Sequence, residues 1–233
     1  MQLSLPVSLP DDETFDSFLD VGNEFATAYL REFCHLGLAN KKPMCYLFGS
    51  EGEGKSHLLF ACCHNANLNK LQTVYLNMFE LKGMPPEVLA SIADYDLICI
   101  DNLHEIAGNP IWERTIFDLI NQVLERPHQP KIIISAASSP LAVGFQLPDL
   151  VSRLTWGAVF QLANRTDEQL CQIIQFRLEH RGLEASDECI KFLLTRVDRE
   201  LRNLMSIVND LDKKSLQAKR KLTIPFIKQA LSL

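Results

Sequence analysis

The sequence lacks the features of a membrane or secreted protein. No apolar run approaches the roughly 18 residues that a membrane-spanning helix needs. The first residues hold no basic segment followed by an apolar stretch, so a secretory signal is not expected. The chain has seven cysteines but no C-x-x-C pair, and ligand spacing for zinc is therefore missing. Cys45 and Cys99 lie inside apolar runs, where a free cysteine acts as a small hydrophobe. A reducing, cytoplasmic setting follows.

An excess of basic residues is also missing. Lysine and arginine number 23 against 29 aspartates and glutamates, for a net charge of -6. A protein that holds duplex DNA by itself usually presents a basic face. The dense basic run comprises Lys213, Lys214, Lys219, Arg220 and Lys221, and its simplest interpretation is a solvated helix end and turn. We therefore expect contact with DNA to be indirect.

Short apolar runs alternate with helical patterns from residue 15 to residue 164. Helical patterns cover, for example, residues 55–67 and 111–126. The apolar runs predict five strands, at residues 44–48, 73–77, 97–101, 131–135 and 158–162. Strands that alternate with helices of this length form parallel crossovers. The pattern predicts an α/β domain, with a parallel five-stranded sheet flanked by helices.

The pattern changes after residue 164. Thr166 and Gln169 form a capping box that opens a helix. Further helical segments follow at residues 186–196, around residues 201–211 and after Thr223. We predict an extended tail at residues 1–14, an α/β domain at 15–164 and a small all-α domain at 165–233.

A glycine-rich loop carries the strongest chemical signal. It matches G-x-x-x-x-G-K-S/T between a predicted strand and a predicted helix. Its glycines allow a tight turn with N–H groups pointing inward, and the helix N-terminus adds positive charge. Lys55 is expected to reach the phosphates, and the Ser56 hydroxyl to ligate Mg²⁺. The loop predicts a site for a nucleoside di- or triphosphate, formed by Gly49, Ser50, Glu51, Gly52, Glu53, Gly54, Lys55 and Ser56.

Asp101 closes the apolar run at residues 97–101. Ligands of open α/β sheets bind at the carboxyl ends of the strands, where this carboxylate is expected. It could complete the Mg²⁺ site together with Ser56, or it could cap the following turn.

Two arginine motifs add to the evidence from the phosphate loop and Asp101. The segment Pro148-Asp-Leu-Val-Ser-Arg153-Leu-Thr-Trp-Gly157 resembles the arginine-finger box of DnaA-type AAA+ ATPases. Asp198-Arg-Glu-Leu-Arg202-Asn-Leu resembles their second sensor motif, in the helical lid. The resemblance extends from residue 15 to the end. It implies that Arg153 acts in trans on the nucleotide of a neighbouring subunit and that Arg202 contacts the nucleotide of its own subunit.

The N-terminal residues resemble the pentapeptide that docks on the bacterial sliding clamp, the β subunit of DNA polymerase III. Leu3 and Leu5 offer apolar anchors, and Pro6 limits the entropy lost on ordering. The proposed clamp-binding residues are Gln2, Leu3, Ser4, Leu5 and Pro6.

Together these features resemble the DnaA/Hda family. DnaA-type initiators continue into a helix-turn-helix domain, and we expect no such domain before Leu233. The resemblance therefore implies a bacterial, cytoplasmic regulator of DnaA. Its core, with ADP or ATP and Mg²⁺ bound, would dock on the DNA-loaded clamp and promote hydrolysis of DnaA-bound ATP through Arg153, which prevents re-initiation. The oligomeric state stays open, and a homodimer is compatible with the resemblance.

Some residues depart from the pattern of active AAA+ hydrolases. Asn102 stands where they usually place an acid, and an amide is a poor proton acceptor. Ala137 stands where DnaA-like proteins tend to carry an aspartate, and Ser135 or Ser138 could substitute. We expect weak intrinsic hydrolysis. Phe15 and Phe18 lie where the family contacts the base, but either could equally belong to the core.

An ATP-driven loader is the main alternative, for example a helicase loader or a clamp-loader-like subunit. A loader needs its own catalytic acid and usually a ring of identical subunits. Asn102 and the clamp-like tail favour the regulator. A metabolic kinase would leave the Arg153 motif and the helical lid unexplained.

Overall fold

The structure is a computed structural model that describes residues 12–34, 42–127, 129–197, 201–218 and 221–231. Contacts divide the chain into two compact units. The first comprises Met1–Ser50 and Lys55–Ala163, and the second comprises Glu51–Gly54 and Asn164–Leu233. The clamp-like motif at residues 2–6 lies outside the described residues.

The first unit is built on a parallel sheet of five strands. The strand order is β2-β3-β4-β1-β5, and each neighbouring pair is parallel. This arrangement confirms the predicted fold class; β4 is one residue longer than predicted and β5 one residue shorter. The strands are β1 Met44–Phe48, β2 Thr73–Asn77, β3 Leu97–Asp101, β4 Lys131–Ala136 and β5 Ala158–Gln161.

Helices cover both faces of this sheet. The apolar sides of the helices pack on the two faces of the sheet and form two separate cores. Between these cores, β3 and β4 are buried along their whole length. Asn109 starts α4, where its side chain accepts from the backbone N–H groups of Ile111 and Trp112. The helices are α1 Glu24–Phe33, α2 Lys55–Leu68, α3 Met78–Leu81, α4 Pro110–Glu125 and α5 Pro148–Trp156, with 3₁₀ turns at Pro86–Leu89, Ile92–Asp94 and Leu103–Ile106.

One of the two cores is rich in cysteine. Its five buried thiols pack among apolar side chains of α1, α2 and the sheet, and all seven cysteines of the chain are free. Burial raises the pKa of the Cys45, Cys62 and Cys99 thiols well above the ordinary value. The Cys45, Cys62 and Cys99 thiols therefore stay protonated and act as small hydrophobes. The five are Cys34, Cys45, Cys62, Cys63 and Cys99.

In the part of the second unit that the structure describes, the helices are α6 Asp167–His180, α7 Asp187–Arg196, α8 Leu201–Ala218 and α9 Ile224–Leu231. The predicted capping box is confirmed, because Thr166 Oγ1 accepts from the Gln169 N–H at 3.3 Å. In return, Gln169 Oε1 accepts from the Thr166 N–H at 2.9 Å. The helices enclose an apolar core of their own.

Candidate functional site

The phosphate-loop motif connects β1 to α2. Gly52 and Gly54 have φ values of 80° and 92°, in the left-handed region that glycine adopts without steric cost. The buried Lys55 ammonium donates to the carbonyl oxygens of Gly49 at 2.7 Å and Ser50 at 2.6 Å. The loop therefore holds its own lysine at the first turn of α2.

The loop meets Asp101 at the carboxyl end of β3. The Ser56 hydroxyl donates to Asp101 Oδ2 at 2.6 Å. Hydroxyl and carboxylate oxygens are the hard ligands that Mg²⁺ prefers, so the donor set fits this ion. Ser56 and Asp101 are the residues that would hold it, and the ion would supply positive charge next to bound phosphates. The metal-ligand role of Asp101 stays a prediction, with which its contact with Ser56 is compatible.

Asp101 has further hydrogen-bond donors. The Tyr75 hydroxyl donates to Oδ2 at 2.5 Å, while the Ser135 hydroxyl and the Asn102 N–H donate to Oδ1. Asp101 is 1% exposed. Burial, followed by the Asp101 charge, raises the pKa of Tyr75 far above its ordinary value, so the phenol remains a donor. Each oxygen of this buried carboxylate thus accepts two hydrogen bonds.

Asn102 has a conformational role besides its chemistry. Its φ of 58° and ψ of 42° lie in the left-handed region, which asparagine tolerates better than most residues. Its N–H lies 3.0 Å from Ser135 Oγ, and its side chain donates to Asn77 Oδ1 at 3.1 Å. The residue therefore shapes the turn after β3 and lacks a group that accepts a proton at neutral pH.

The two serines proposed to replace a sensor aspartate have different surroundings. Ser135 is buried on β4, and its hydroxyl contacts Asp101 directly. Ser138 contributes its backbone carbonyl, which accepts from the Tyr46 hydroxyl at 3.0 Å. Of the two serines, Ser135 is thus the one whose side chain contacts Asp101.

A buried ion pair involves the middle of the loop. Arg165 Nε lies 3.7 Å from Glu53 Oε2, and the two side chains are 3% and 12% exposed. A carboxylate within a phosphate loop opposes anion binding, and a cation beside it balances that charge. Arg165 was not among the residues predicted from the sequence. The glutamate at position 53 was the available signal, because a buried acid requires a partner.

The N-terminal aromatic residues pack in the core that contains residues of α1 and α2. Phe15 is buried, and the Arg31 guanidinium is 4.7 Å from its ring centre. The Phe18 ring is half-buried at 5.2 Å from the ring of His57, which follows Ser56 on α2. Phe15 therefore belongs to the core, and Phe18 is the one of the pair that retains exposed surface.

Arg153 lies on α5, far along the chain from the phosphate loop. Leu150 and Leu154 of this helix are fully buried, whereas Arg153 is half-buried. Within the described residues its guanidinium makes no hydrogen bond or ion pair. Gly157 then leads into β5, and a Cβ atom there would come within 2.6 Å of the Met44 carbonyl oxygen. The helix is therefore closely held while its arginine is left without a partner.

Arg202 is the second residue of α8, and its side chain lies outside what the structure describes. No helix of the described residues is both long and apolar enough to cross a membrane.

Two family models match the chain. The model of the Bacterial DnaA ATPase domain matches residues 9–161. The model of the Hda lid domain matches residues 167–231.

Solved structures have the same fold. Domain III of the Thermotoga maritima replication initiation protein DnaA is 23% identical, with a TM-score of 0.77 over 96% of this chain and 97% of that chain. AMPPCP-bound DnaA from Aquifex aeolicus is 22% identical, with a TM-score of 0.73 over 90% and 68%. The Thermotoga maritima RuvB Holliday junction branch migration motor is 15% identical, with a TM-score of 0.67 over 92% and 69%. The chain thus has an AAA+ nucleotide-binding fold with a helical lid.

Proposed function

Since the chain belongs to the DnaA/Hda family, we propose that it inactivates the replication initiator DnaA by promoting hydrolysis of DnaA-bound ATP. The chain acts with ADP bound in its own site, while docked on a DNA-loaded sliding clamp. Arg153 enters the nucleotide site of DnaA as an arginine finger.

The observation that carries this proposal is the state of Arg153. Its helix is anchored through Leu150 and Leu154, but the guanidinium is half-buried and forms no hydrogen bond or ion pair within the described chain. An arginine that its own fold leaves unused is available to a neighbouring molecule. A guanidinium suits this task, because it stays charged and presents several N–H donors in a rigid plane.

The chemistry occurs in the partner. The oxygen of a water molecule attacks the γ-phosphorus, and the bond from this phosphorus to the β–γ bridging oxygen breaks. ADP and inorganic phosphate are the products, and the proton released from water passes to solvent. Negative charge develops on the transferred group and the bridging oxygen, where the Arg153 guanidinium stabilises it.

The chain's own site serves to hold a nucleotide. The loop residues Gly49 to Ser56 would bind the phosphates, and Arg202 in the lid would contact the same nucleotide. Turnover in this site is weak, because Asn102 supplies no proton acceptor and is already bonded to Asn77. An ATP-driven loader, the alternative function, needs such turnover, so the same feature disfavours it.

Docking on the clamp raises the local concentration of the chain near the initiator. Gln2 to Pro6 form a linear ligand with two leucine anchors. Tethering of this kind increases apparent affinity without a new contact at the catalytic interface. Deletion of residues 2–6 is expected to abolish clamp binding and to leave affinity for ADP unchanged.

The test uses DnaA loaded with radiolabelled ATP, DNA-loaded clamp and this chain. We expect the wild type to accelerate conversion to ADP, and Arg153→Ala to behave like DnaA alone. Arg114→Ala is the matched control, since Arg114 is an exposed arginine on α4 that forms an ion pair with Asp118 on the same helix. If the wild type leaves hydrolysis unchanged, the proposed function is wrong.

A further inference from the structure

Glu113 is a fully buried acid away from the phosphate loop. It is the fourth residue of α4 and is 0% exposed. Its carboxylate accepts three backbone hydrogen bonds, from the N–H groups of Gly108 at 2.7 Å, Gln146 at 2.8 Å and Leu147 at 2.7 Å. No lysine or arginine of the described chain forms an ion pair with it. A buried charge without a partner is strongly unfavourable, and these three hydrogen bonds offset that cost for Glu113.

These bonds hold the start of α5. Leu147 is the N-cap residue of that helix but forms no side-chain cap. Pro148 follows it and has no N–H to donate. The carboxylate of Glu113 therefore takes the place of a cap from outside the helix, at its positive end.

The same carboxylate also holds the start of its own helix. Oε1 accepts from Gly108, just before the N-cap residue Asn109, while Oε2 accepts from both Gln146 and Leu147. One side chain thus fixes the beginning of α5 relative to the beginning of α4.

Arg153 is carried on this helix. It lies six residues after Leu147, which is about 9 Å along an α-helix. The buried Leu150 and Leu154 set the rotation of α5 about its axis, and Glu113 sets the position of its first residue. A group that acts on a transition state needs this accuracy, because a shift of about 1 Å can lower a rate by roughly 100-fold.

We propose that Glu113 is a positioning residue for Arg153. This inference rests on the proposed function of Arg153 and deepens it. Glu113 touches no nucleotide; it fixes α5 so that the guanidinium enters the partner's site in a productive geometry.

The isosteric variant Glu113→Gln tests this role. Glutamine keeps the shape but has one acceptor oxygen, so its NH₂ group must face at least one of the three N–H donors. We expect the maximal rate of ATP hydrolysis in the partner to fall by about tenfold, as a small displacement of the guanidinium predicts. The chain concentration for half-maximal effect and the affinity for ADP should not change. Glu125→Gln, at the exposed end of α4, is the matched control and should match the wild type.

Hydrogen exchange on the wild-type chain keeps the inference testable even if the variant does not fold. The amides of Gln146 and Leu147 should exchange slowly, although Gln146 is an exposed residue. Exchange at the rate of unprotected amides would overturn the inference. With protected amides, equal stimulation by Glu113→Gln and Glu125→Gln would overturn it alone, whereas a wild type that stimulates nothing would overturn the proposed function as well.

Discussion

Asp101 and Arg153 are both charged, but they differ in their burial and in their hydrogen-bond partners. Asp101 is almost fully buried, and its oxygens accept from the Ser56, Tyr75 and Ser135 hydroxyls and from a backbone N–H. Arg153 is half-buried on α5 and has no such partner within the described chain. Both lie in the same compact unit, so the difference is not one of domain or layer.

This difference indicates where each group acts. A buried carboxylate that accepts four hydrogen bonds is held rigidly, which suits a site that retains a ligand. A guanidinium left unpaired on a fixed helix is suited to a partner that supplies the opposite charge. Four predictions test this division, from the largest expected effect to the smallest.

Lys55→Ala should have the largest effect, and only on the chain's own site. The change removes the ammonium that contacts the loop carbonyls and is expected to reach phosphates. Loss of one charged hydrogen-bonding group of about 2–3 kcal/mol corresponds to a fall in ADP affinity of roughly 30- to 150-fold. Isothermal titration with ADP and Mg²⁺ measures it. Lys70→Ala, at an exposed lysine beyond α2, should bind as the wild type does, and equal affinity of the two variants would contradict the assignment.

Gly157→Ala should destabilise the junction between β5 and α5, the helix that carries Arg153. The new Cβ would lie 2.6 Å from the Met44 carbonyl oxygen, so β5 and the end of α5 must shift. We expect a loss of about 1–3 kcal/mol in the free energy of unfolding. Denaturant unfolding measures this loss. Gly83→Ala serves as control, because nothing lies within 4 Å of a Cβ there. Equal stability of the two variants would show that the contact is readily relieved.

A smaller loss of stability is expected for Tyr75→Phe, which changes the hydrogen bonds of Asp101. It removes one hydrogen bond to the buried carboxylate, while the Ser56 hydroxyl still donates to the same oxygen. A loss of about 1.5–2 kcal/mol in the free energy of unfolding is expected, with the fold preserved. Tyr95→Phe is the control, since the Tyr95 hydroxyl has no hydrogen bond within the described chain. A Tyr75 variant as stable as this control would mean that the bond contributes nothing net.

The smallest expected effect is the loss of stability at alkaline pH, counted for each tyrosine and each pH unit. Burial raises the pKa of Tyr75 and Tyr46 well above the ordinary value, and that of Tyr29 to about 12. The unfolded chain loses these protons near pH 10 while the folded chain keeps them, so the contribution of these tyrosines to stability is constant below about pH 10 and falls above it. Each such tyrosine adds a slope of about 1.4 kcal/mol per pH unit. Denaturant unfolding from pH 9 to 11 should show a shallower fall for Tyr75→Phe, and an unchanged slope would contradict the raised pKa of Tyr75.

Much of the fold followed from local pattern. The runs at residues 44–48, 73–77 and 97–101 are strands with those bounds, and the box at Thr166 and Gln169 caps its helix. The errors in these bounds lie at the ends of elements: β4 extends through Ala136, β5 ends at Gln161, and the helices predicted at 55–67 and 111–126 are Lys55–Leu68 and Pro110–Glu125. Strand ends depend on ladder partners that lie far away in sequence, so local pattern does not specify them.

The candidate site could be predicted only where a motif is contiguous. The loop from Gly49 to Ser56 and the strand-end Asp101 were found by spacing. Tyr75 and Glu113 were not, because each reaches its partner across 26 or 33 positions of the chain. Their residue types are common in strands and helices, and no spacing rule marks them.

By itself the sequence determined the phosphate loop, the alternation of strands and helices, and the family that the arginine motifs resemble, because these depend on residues close together along the chain. The tertiary structure alone decided which groups surround Asp101 and that Glu113 holds the start of α5. Parallel strands and crossover helices bring remote residues to one edge of a sheet, and the partners of a buried charge are chosen there by distance in space.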